Sequence, residues 1–157
     1  MHTANTVAMY GDLDRIVELA ADVERWPDIL PHYRWVTLLE GGGDHKVVEM
    51  AARRERIPVK WRAIQEIDRG GATPVIAFHH IWGVTKGMDV DWTFDQQPDH
   101  VNVTIRHDFR PPWPVVGGLV AERIIGPHFV AYIAGQTLAT FKELVERERA
   151  TSGGKRI

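Results

Sequence analysis

Hydrophobic and polar residues alternate strictly in the segment MDVDWTFD, residues 88–95. The apolar positions are Met88, Val90, Trp92 and Phe94, and every position between them is polar. Because successive side chains of a strand point to opposite faces, this pattern predicts a half-buried strand. Four large apolar side chains on one strand need a deep apolar space opposite them, and either a core or a bound ligand can fill it.

The same period of two recurs along the chain between turn residues. It predicts seven strands, at residues 3–10, 33–40, 46–56, 58–68, 73–82, 87–97 and 100–110. Glycine, proline and aspartate separate the last six, and the connections between them are too short for crossover helices. We therefore expect these six strands to pair as antiparallel hairpins.

Three other segments favour helix. Asp12 is the predicted N-cap of a first helix that ends near Asp22, and a short helical turn is expected between Pro27 and Pro31. The longest element is a terminal helix of about six turns that begins at Pro127, where proline suits the first helical position. A single domain over residues 1–150 and a disordered tail at 151–157 complete the prediction.

This order of elements predicts an α+β fold in which a curved antiparallel sheet of about seven strands wraps around the long C-terminal helix, with two short helices after the first strand. One helix covers only part of the apolar face of such a sheet, so a hollow is expected between the two. The alternation places Trp61, Gln65, Trp92 and His107 on the inner face and Arg62 on the outer face.

Composition narrows the choice of partners. The chain has 157 residues with 44% hydrophobic content, and 19 Lys plus Arg against 21 Asp plus Glu give a net charge of -2. This balance provides no overall positive field that would attract nucleic acid or an anionic membrane. There is no cysteine and no apolar run long enough to span a membrane. A cytoplasmic protein without disulfides is expected.

Several segments resemble a known family. ADVERWPDILPHY at 21–33, MDVDWTFD, IRHDFRP at 105–111 and GPHFVAYIAGQTLATFKELVE at 126–146 are similar to bacterial aromatic polyketide aromatase/cyclases of the START-like (SRPBCC) superfamily, which has the helix-grip fold. The resemblance covers roughly residues 5–147. It implies a pocket in which a poly-β-ketone chain, delivered on an acyl carrier protein, undergoes aldol closure and loses water. It implies neither a metal nor another cofactor.

The resemblance also identifies candidate residues. Trp26, Tyr33, Trp61 and Trp92 fall on positions similar to pocket or gateway residues of the family. Gln65 falls where the tetracenomycin-type cyclases have an arginine that points into the pocket. Glutamine donates a hydrogen bond to a carbonyl but brings no positive charge to an enolate.

Three residues are candidates for catalysis. Gln65 is expected either to orient a substrate carbonyl or to make an internal hydrogen bond. Tyr33 is a proton donor or acceptor near the entrance, or a packed ring bonded to a backbone carbonyl. His107 is a proton shuttle, or a buried neutral histidine bonded to the terminal helix.

A larger set is expected to contact the substrate. It consists of Trp26, Trp61, His80, Trp82, Met88, Trp92, Phe94, Trp113, Phe129 and Ile133. Of the adjacent pair His79 and His80, only one can face the cavity, and His80 shares its side with Phe78 and Trp82 by alternation. The eight histidines show no recognisable metal-ligand spacing.

Two further segments have alternative interpretations. The basic run at 53–56, with Lys60 and Arg62, is either a solvated hairpin face or a docking patch for an acidic carrier protein. The apolar segment 114–125 is either a packed loop or a lid that hinges at Gly117 and Gly118.

The sequence as a whole favours a polyketide aromatase/cyclase-like protein that binds a hydrophobic or aromatic molecule in an internal cavity. The alternative is a binding or transport protein without catalytic activity, with a lipid, quinone or polyketide as its ligand.

Overall fold

The computed structural model describes residues 2–110 and 127–154, and Trp113 and the segment 114–125 lie outside them. Seven strands form one sheet: β1 His2–Met9, β2 Tyr33–Gly42, β3 His45–Arg54, β4 Ile57–Asp68, β5 Val75–Gly83, β6 Asp89–Gln96 and β7 Val101–Asp108. Every neighbouring pair is antiparallel, in the order β1-β7-β6-β5-β4-β3-β2. The predicted strands and hairpins are confirmed, with strand ends that move by at most two residues.

The helices follow the predicted order. The first connection holds α1 Leu13–Ala21, a 3-10 turn Val23–Arg25 and the short α2 Trp26–Ile29, and the chain ends in α3 Pro127–Gly154. α3 continues to Gly154, four residues beyond the predicted domain end at residue 150. No helix in the described part of the chain is long and apolar enough to cross a membrane.

The N-cap of α1 is the one that the sequence predicts. The Asp12 side chain accepts a hydrogen bond from the backbone N–H of Arg15 at 3.1 Å, which satisfies a donor that has no partner within the helix. The Arg15 guanidinium donates two further bonds to the Glu148 carboxylate of α3. These contacts fix α1 against the terminal helix.

The hydrophobic core lies between the inner face of the sheet and the helices. Alternate positions of β4, β6 and β7 are buried, as the period of two predicts, and Phe129, Leu138, Phe141 and Val145 of α3 are buried with them. At the edge of the sheet, the Lys142 ammonium donates to the Ala8 carbonyl of β1 at 2.8 Å. The sheet and the terminal helix therefore enclose one continuous core.

Candidate ligand-binding cavity

A cavity lies inside this core, between β4 to β7 and the first turns of α3. Predicted site residues that line it are Trp26, Tyr33, Trp61, His80, Met88, Trp92, His107, Phe129 and Ile133. The rest of the described lining is apolar apart from Thr85 and Thr137, and it contains no Lys, Arg, Asp or Glu. The cavity thus offers a guest aromatic walls and a few neutral polar groups.

The cavity is small in this structure, at about 70 Å³. That is roughly half of the ~150 Å³ cavity that holds a benzene ring in an engineered protein. The large aromatic side chains therefore fill most of the hollow as core, and a guest of the size of a ring enters only if lining side chains move. Met50 and Met88 are suited to such movement because methionine is unbranched and adapts its shape.

Trp26 organises the aromatic cluster beside the cavity. Its ring centroid lies 5.1 Å from that of Tyr33, 5.8 Å from Trp92 and 6.0 Å from Phe141. Its indole N–H donates to the Leu19 carbonyl of α1 at 3.0 Å. The backbone bond fixes the ring, and the ring in turn positions Tyr33 by edge-to-face contact.

Tyr33 is almost fully buried, at 8% exposure, and stands at the first position of β2. Burial raises the pKa of its hydroxyl far above the ordinary value, because the charged phenolate would lose its hydration. At neutral pH the phenol is therefore protonated. It is available in the cavity as a hydrogen-bond donor or a weak acid.

His80 lies on the cavity side of β5 while His79 lies on the outer side, where it contacts Asp89. The His80 Nδ1 atom is 2.7 Å from the Thr85 hydroxyl, and its ring stacks on Trp61 with centroids 5.5 Å apart. Burial, with a smaller contribution from His107, lowers the pKa of His80 to about 3. The imidazole is neutral at physiological pH.

His107 faces the same cavity from β7, directly opposite Val90 of β6. Burial lowers its pKa to about 4. Its Nδ1 atom is buried and has no hydrogen-bond partner among the described residues. Unlike His80, this imidazole therefore keeps a free polar atom beside the cavity.

His32 is a further buried polar residue, which the sequence pattern did not predict as part of the site. Its Nε2 atom lies 2.9 Å from the Thr137 hydroxyl, and that hydroxyl donates to the Ile133 carbonyl at 2.8 Å. Because the hydroxyl has one proton, Nε2 carries the imidazole proton and donates to Thr137. Burial lowers the pKa of His32 to about 4. The bond joins the start of the sheet to the helical wall of the cavity.

Gln65 is fully buried on the inner side of β4, yet it is not part of the described cavity lining. Its amide nitrogen donates to the Ala21 carbonyl at the end of α1, at 2.9 Å. Of the two alternatives for this residue, the structure therefore shows the internal hydrogen bond. Its Oε1 atom is buried and has no hydrogen-bond partner among the described residues.

The placement of Trp82 differs from the prediction. Arg62 of β4 pairs with Trp82, but the next residue, Ala63, pairs with His80, so Ile81 is an extra residue on β5. This irregularity reverses the alternation after His80 and turns Trp82 outward, where it is 41% exposed. Trp82 is therefore a surface residue and not a cavity residue.

Phe94 is a second predicted substrate contact that lies outside the cavity lining. It is buried at 2% exposure opposite Val103, but it lies beyond the described cavity lining and packs in the core. The other predicted contact, Trp113, falls outside the described residues, as does the suggested lid at 114–125.

The outer face around Trp82 is basic. The Arg62 guanidinium lies 4.8 Å and the Lys60 ammonium 5.5 Å from the centroid of the Trp82 ring. Next to this face, at the end of β3, Arg54 has the parity of the buried Met50 and Ala52. It lies 5.6 Å from the centroid of the ring of Tyr132, the residue before the cavity residue Ile133. Cations over aromatic faces are held in place by the ring quadrupole.

Known proteins share this architecture. The aromatase/cyclase Zhui from Streptomyces sp. R1128 superposes with a TM-score of 0.77 over 94% of each chain, at 22% identity. A START superfamily protein from Mycobacterium smegmatis gives a TM-score of 0.70 over 93% of this chain and 97% of that one, at 14% identity. At such identities the likeness establishes the helix-grip, START-like fold.

Sequence comparison gives the family. A protein of Streptomyces halstedii described as a putative polyketide cyclase is 26% identical over 101 residues, which cover 64% of this chain and 93% of that protein. The sequence model described as "Polyketide cyclase / dehydrase and lipid transport" matches residues 13–124, from α1 to beyond β7. With most of the sheet and the cavity inside that match, the chain belongs to the polyketide cyclase/dehydrase and lipid transport family.

Proposed function

We propose that this protein binds a poly-β-ketone chain, or a related aromatic molecule, in its cavity and promotes aldol cyclisation followed by loss of water. The observation that carries the proposal is that an apolar, aromatic cavity contains three neutral groups able to exchange protons: Tyr33, His80 and His107. Apolar walls exclude water and hold a flexible chain in a bent conformation, which favours attack of one chain carbon on another.

The proton transfers follow from the protonation states. Neutral His107 accepts a proton from a methylene carbon between two carbonyls, which is acidic enough for a weak base. That carbon then bonds to a distant carbonyl carbon, whose oxygen receives a hydrogen bond and then a proton from Tyr33. The Tyr33 phenolate then takes the second proton from the attacking carbon, and protonated His107 gives its proton to the new hydroxyl, which leaves as water; this forms the double bond of the ring and restores both residues.

A second candidate function is a carrier of a hydrophobic ligand, such as a lipid, quinone or polyketide, without catalysis. The observation that favours it is the absence of Lys and Arg from the described cavity lining. A fixed cation would stabilise an enolate more strongly than the neutral hydrogen-bond donors present.

One experiment separates the two functions. The purified protein is supplied with a nascent poly-β-ketone made by a minimal synthase, and the ring pattern of the products is analysed. A cyclase changes that pattern, and Tyr33→Phe and His107→Gln abolish the change. His79→Gln is the matched control, because His79 neighbours His80 but lies outside, with its side chain 55% exposed. An unchanged pattern together with tight binding of the finished aromatic product would support the carrier.

The basic face around Trp82 is a candidate for docking of an acidic acyl carrier protein. We call it the basic patch, and its members are Arg53, Arg54, Arg56, Lys60, Arg62 and Trp82. Arg54 contacts Tyr132 beside the cavity wall, so a carrier bound here would release its chain near the cavity. Opposite charges on the carrier would increase the association rate, with a steep dependence on salt.

Charge reversal tests this docking. Arg54→Glu and Lys60→Glu are expected to slow association with the carrier-bound substrate at low salt, with a smaller effect at high salt. Arg25→Glu makes the same charge change on an exposed 3-10 turn outside the patch and serves as the control. Equal association rates for all variants and the wild type would exclude the basic patch as the docking surface.

A further inference from the structure

Three buried polar atoms without hydrogen-bond partners in the described residues lie on two neighbouring strands. They are Thr3 Oγ1 and Asn5 Oδ1 of β1 and His107 Nδ1 of β7. A fourth such atom, Gln65 Oε1, is on β4, with β5 and β6 between it and β7. Buried polar atoms are nearly always paired, so three on two neighbouring strands call for a partner that is not part of the chain, either water or a guest molecule.

The strand register brings these atoms to the same side of the sheet. Thr3 is directly opposite His107, and Asn5 is directly opposite Ile105. Residues opposite each other on antiparallel strands project to one face, with Cβ atoms about 4.5 to 5.5 Å apart. Ile105 and His107 line the cavity, so Thr3 and Asn5 project to the same face of the sheet, one strand beyond the cavity lining.

Apart from Tyr33, whose hydroxyl is available as a donor, the other histidine and threonine side chains of the cavity already have partners. His80 and Thr85 bond to each other, and Thr137 bonds to His32 and to the Ile133 carbonyl. Free hydrogen-bonding capacity therefore lies at two places, at Tyr33 and where β1 meets β7. A guest that extends from the cavity past His107 toward β1 would meet the second of these.

The atom types define the group that fits. The Asn5 Oδ1 atom only accepts hydrogen bonds, while the Thr3 hydroxyl and a neutral imidazole both donate and accept. A ketone oxygen, which only accepts, would leave Asn5 Oδ1 unpaired. A hydroxyl group donates one bond and accepts others, so it can satisfy all three atoms.

We propose that Thr3, Asn5 and His107 form a hydroxyl-binding subsite that selects phenolic or enolic guests over guests without a hydroxyl. This inference rests on the proposed function and deepens it. A poly-β-ketone gains a hydroxyl when it enolises, and the dehydrated ring carries phenolic hydroxyls. The subsite would hold these forms in preference to the open chain with all of its carbonyls in the keto form.

Phenol and benzene are a matched pair of probes, since they differ by one hydroxyl. Calorimetric titration at pH 7 is expected to show that the wild type binds phenol roughly tenfold more tightly than benzene. Asn5→Leu and Thr3→Val should each bring this ratio toward one. Neither should lower the melting temperature, because each removes a buried atom that has no partner.

Asn102→Leu is the control, because it makes the same change on β7 at a position between the inward Val101 and Val103, and therefore on the other face. It should keep the wild-type ratio. Equal affinity of the wild type for both probes, no binding of either, or an unchanged ratio in both test variants would overturn the subsite.

These outcomes are distinct from failure of the proposed function. A protein that changes the ring pattern of a nascent poly-β-ketone but binds phenol and benzene equally is a cyclase without the subsite. A protein that prefers phenol in the wild type and loses the preference in Asn5→Leu, yet leaves the ring pattern unchanged, has the subsite without the cyclase activity.

Discussion

Acidification should destabilise this protein strongly, and the loss should begin below pH 6.5, before carboxylates titrate. His32 and His80 are buried and His107 is half-buried, and the loss of hydration lowers their pKa values to about 4, 3 and 4 from the ordinary 6.5. A histidine whose pKa is lowered in the folded state binds its proton more readily when the chain unfolds. Its contribution to stability is therefore complete above pH 6.5 and is lost as the pH falls toward the folded pKa.

The size of the loss follows from the shifts. One pKa unit corresponds to about 1.4 kcal/mol, so each histidine costs about 2 to 3 kcal/mol between pH 7 and pH 4.5. Together the three cost roughly 6 to 9 kcal/mol if they act independently, which is comparable with the whole stability of an ordinary domain. We expect the protein to unfold, or nearly so, around pH 4.5.

Urea denaturation at a series of pH values measures this effect. Replacing His107 by Leu removes one of the three groups, and the loss of unfolding free energy between pH 7 and pH 4.5 should shrink by about a third. His45→Gln is the control, because the His45 side chain is 62% exposed. If the pH dependence of His107→Leu equals that of the wild type, the reasoning from burial is refuted.

Further substitutions test the packing around the cavity. Gln65→Leu should lower the unfolding free energy by about 1 to 2 kcal/mol, because it removes the hydrogen bond to Ala21, and it should leave the product pattern unchanged. Loss of cyclisation at wild-type stability would instead assign Gln65 a direct role. Trp26→Phe should cost about 2 to 4 kcal/mol in urea denaturation, since it removes buried area and the bond to Leu19, and a cost near zero would contradict its position as the centre of the cluster. Trp82→Ala should change stability by less than about 1 kcal/mol in the same assay, and a core-sized loss would show that its ring faces inward.

Strand and helix positions were accessible from the sequence because burial on one face leaves a periodic pattern. In β6 the alternation identified the buried positions, and in β7 it placed His107 on the cavity side. Trp82 was predicted on the wrong face because one extra residue on β5 reverses the alternation, and no local sequence signal marks that irregularity. The alternation gives the face of a side chain but not its depth, so it did not separate Phe94 in the core from Trp92 at the cavity.

The polar contacts were less accessible, because they depend on where distant elements meet. The bond between His32 and Thr137 joins residues 105 positions apart, and His32 precedes the first regular position of β2. The amide of Gln65 finds its partner on α1, 44 residues away. The volume of the cavity is likewise set by the fit of many side chains, which no single segment encodes.

The placement of β1 has a consequence for the order of folding. β2 to β7 are joined by short hairpins, but β1 pairs only with β7. His2 therefore pairs with Asp108, although β2 to β6 lie between them in the sequence. Such long loops close slowly, and during synthesis on the ribosome β1 must wait until β7 has emerged. Thr3, Asn5 and His107 would then come together among the last steps of folding, and the chain would acquire that corner of its binding site only once its N-terminal strand has docked.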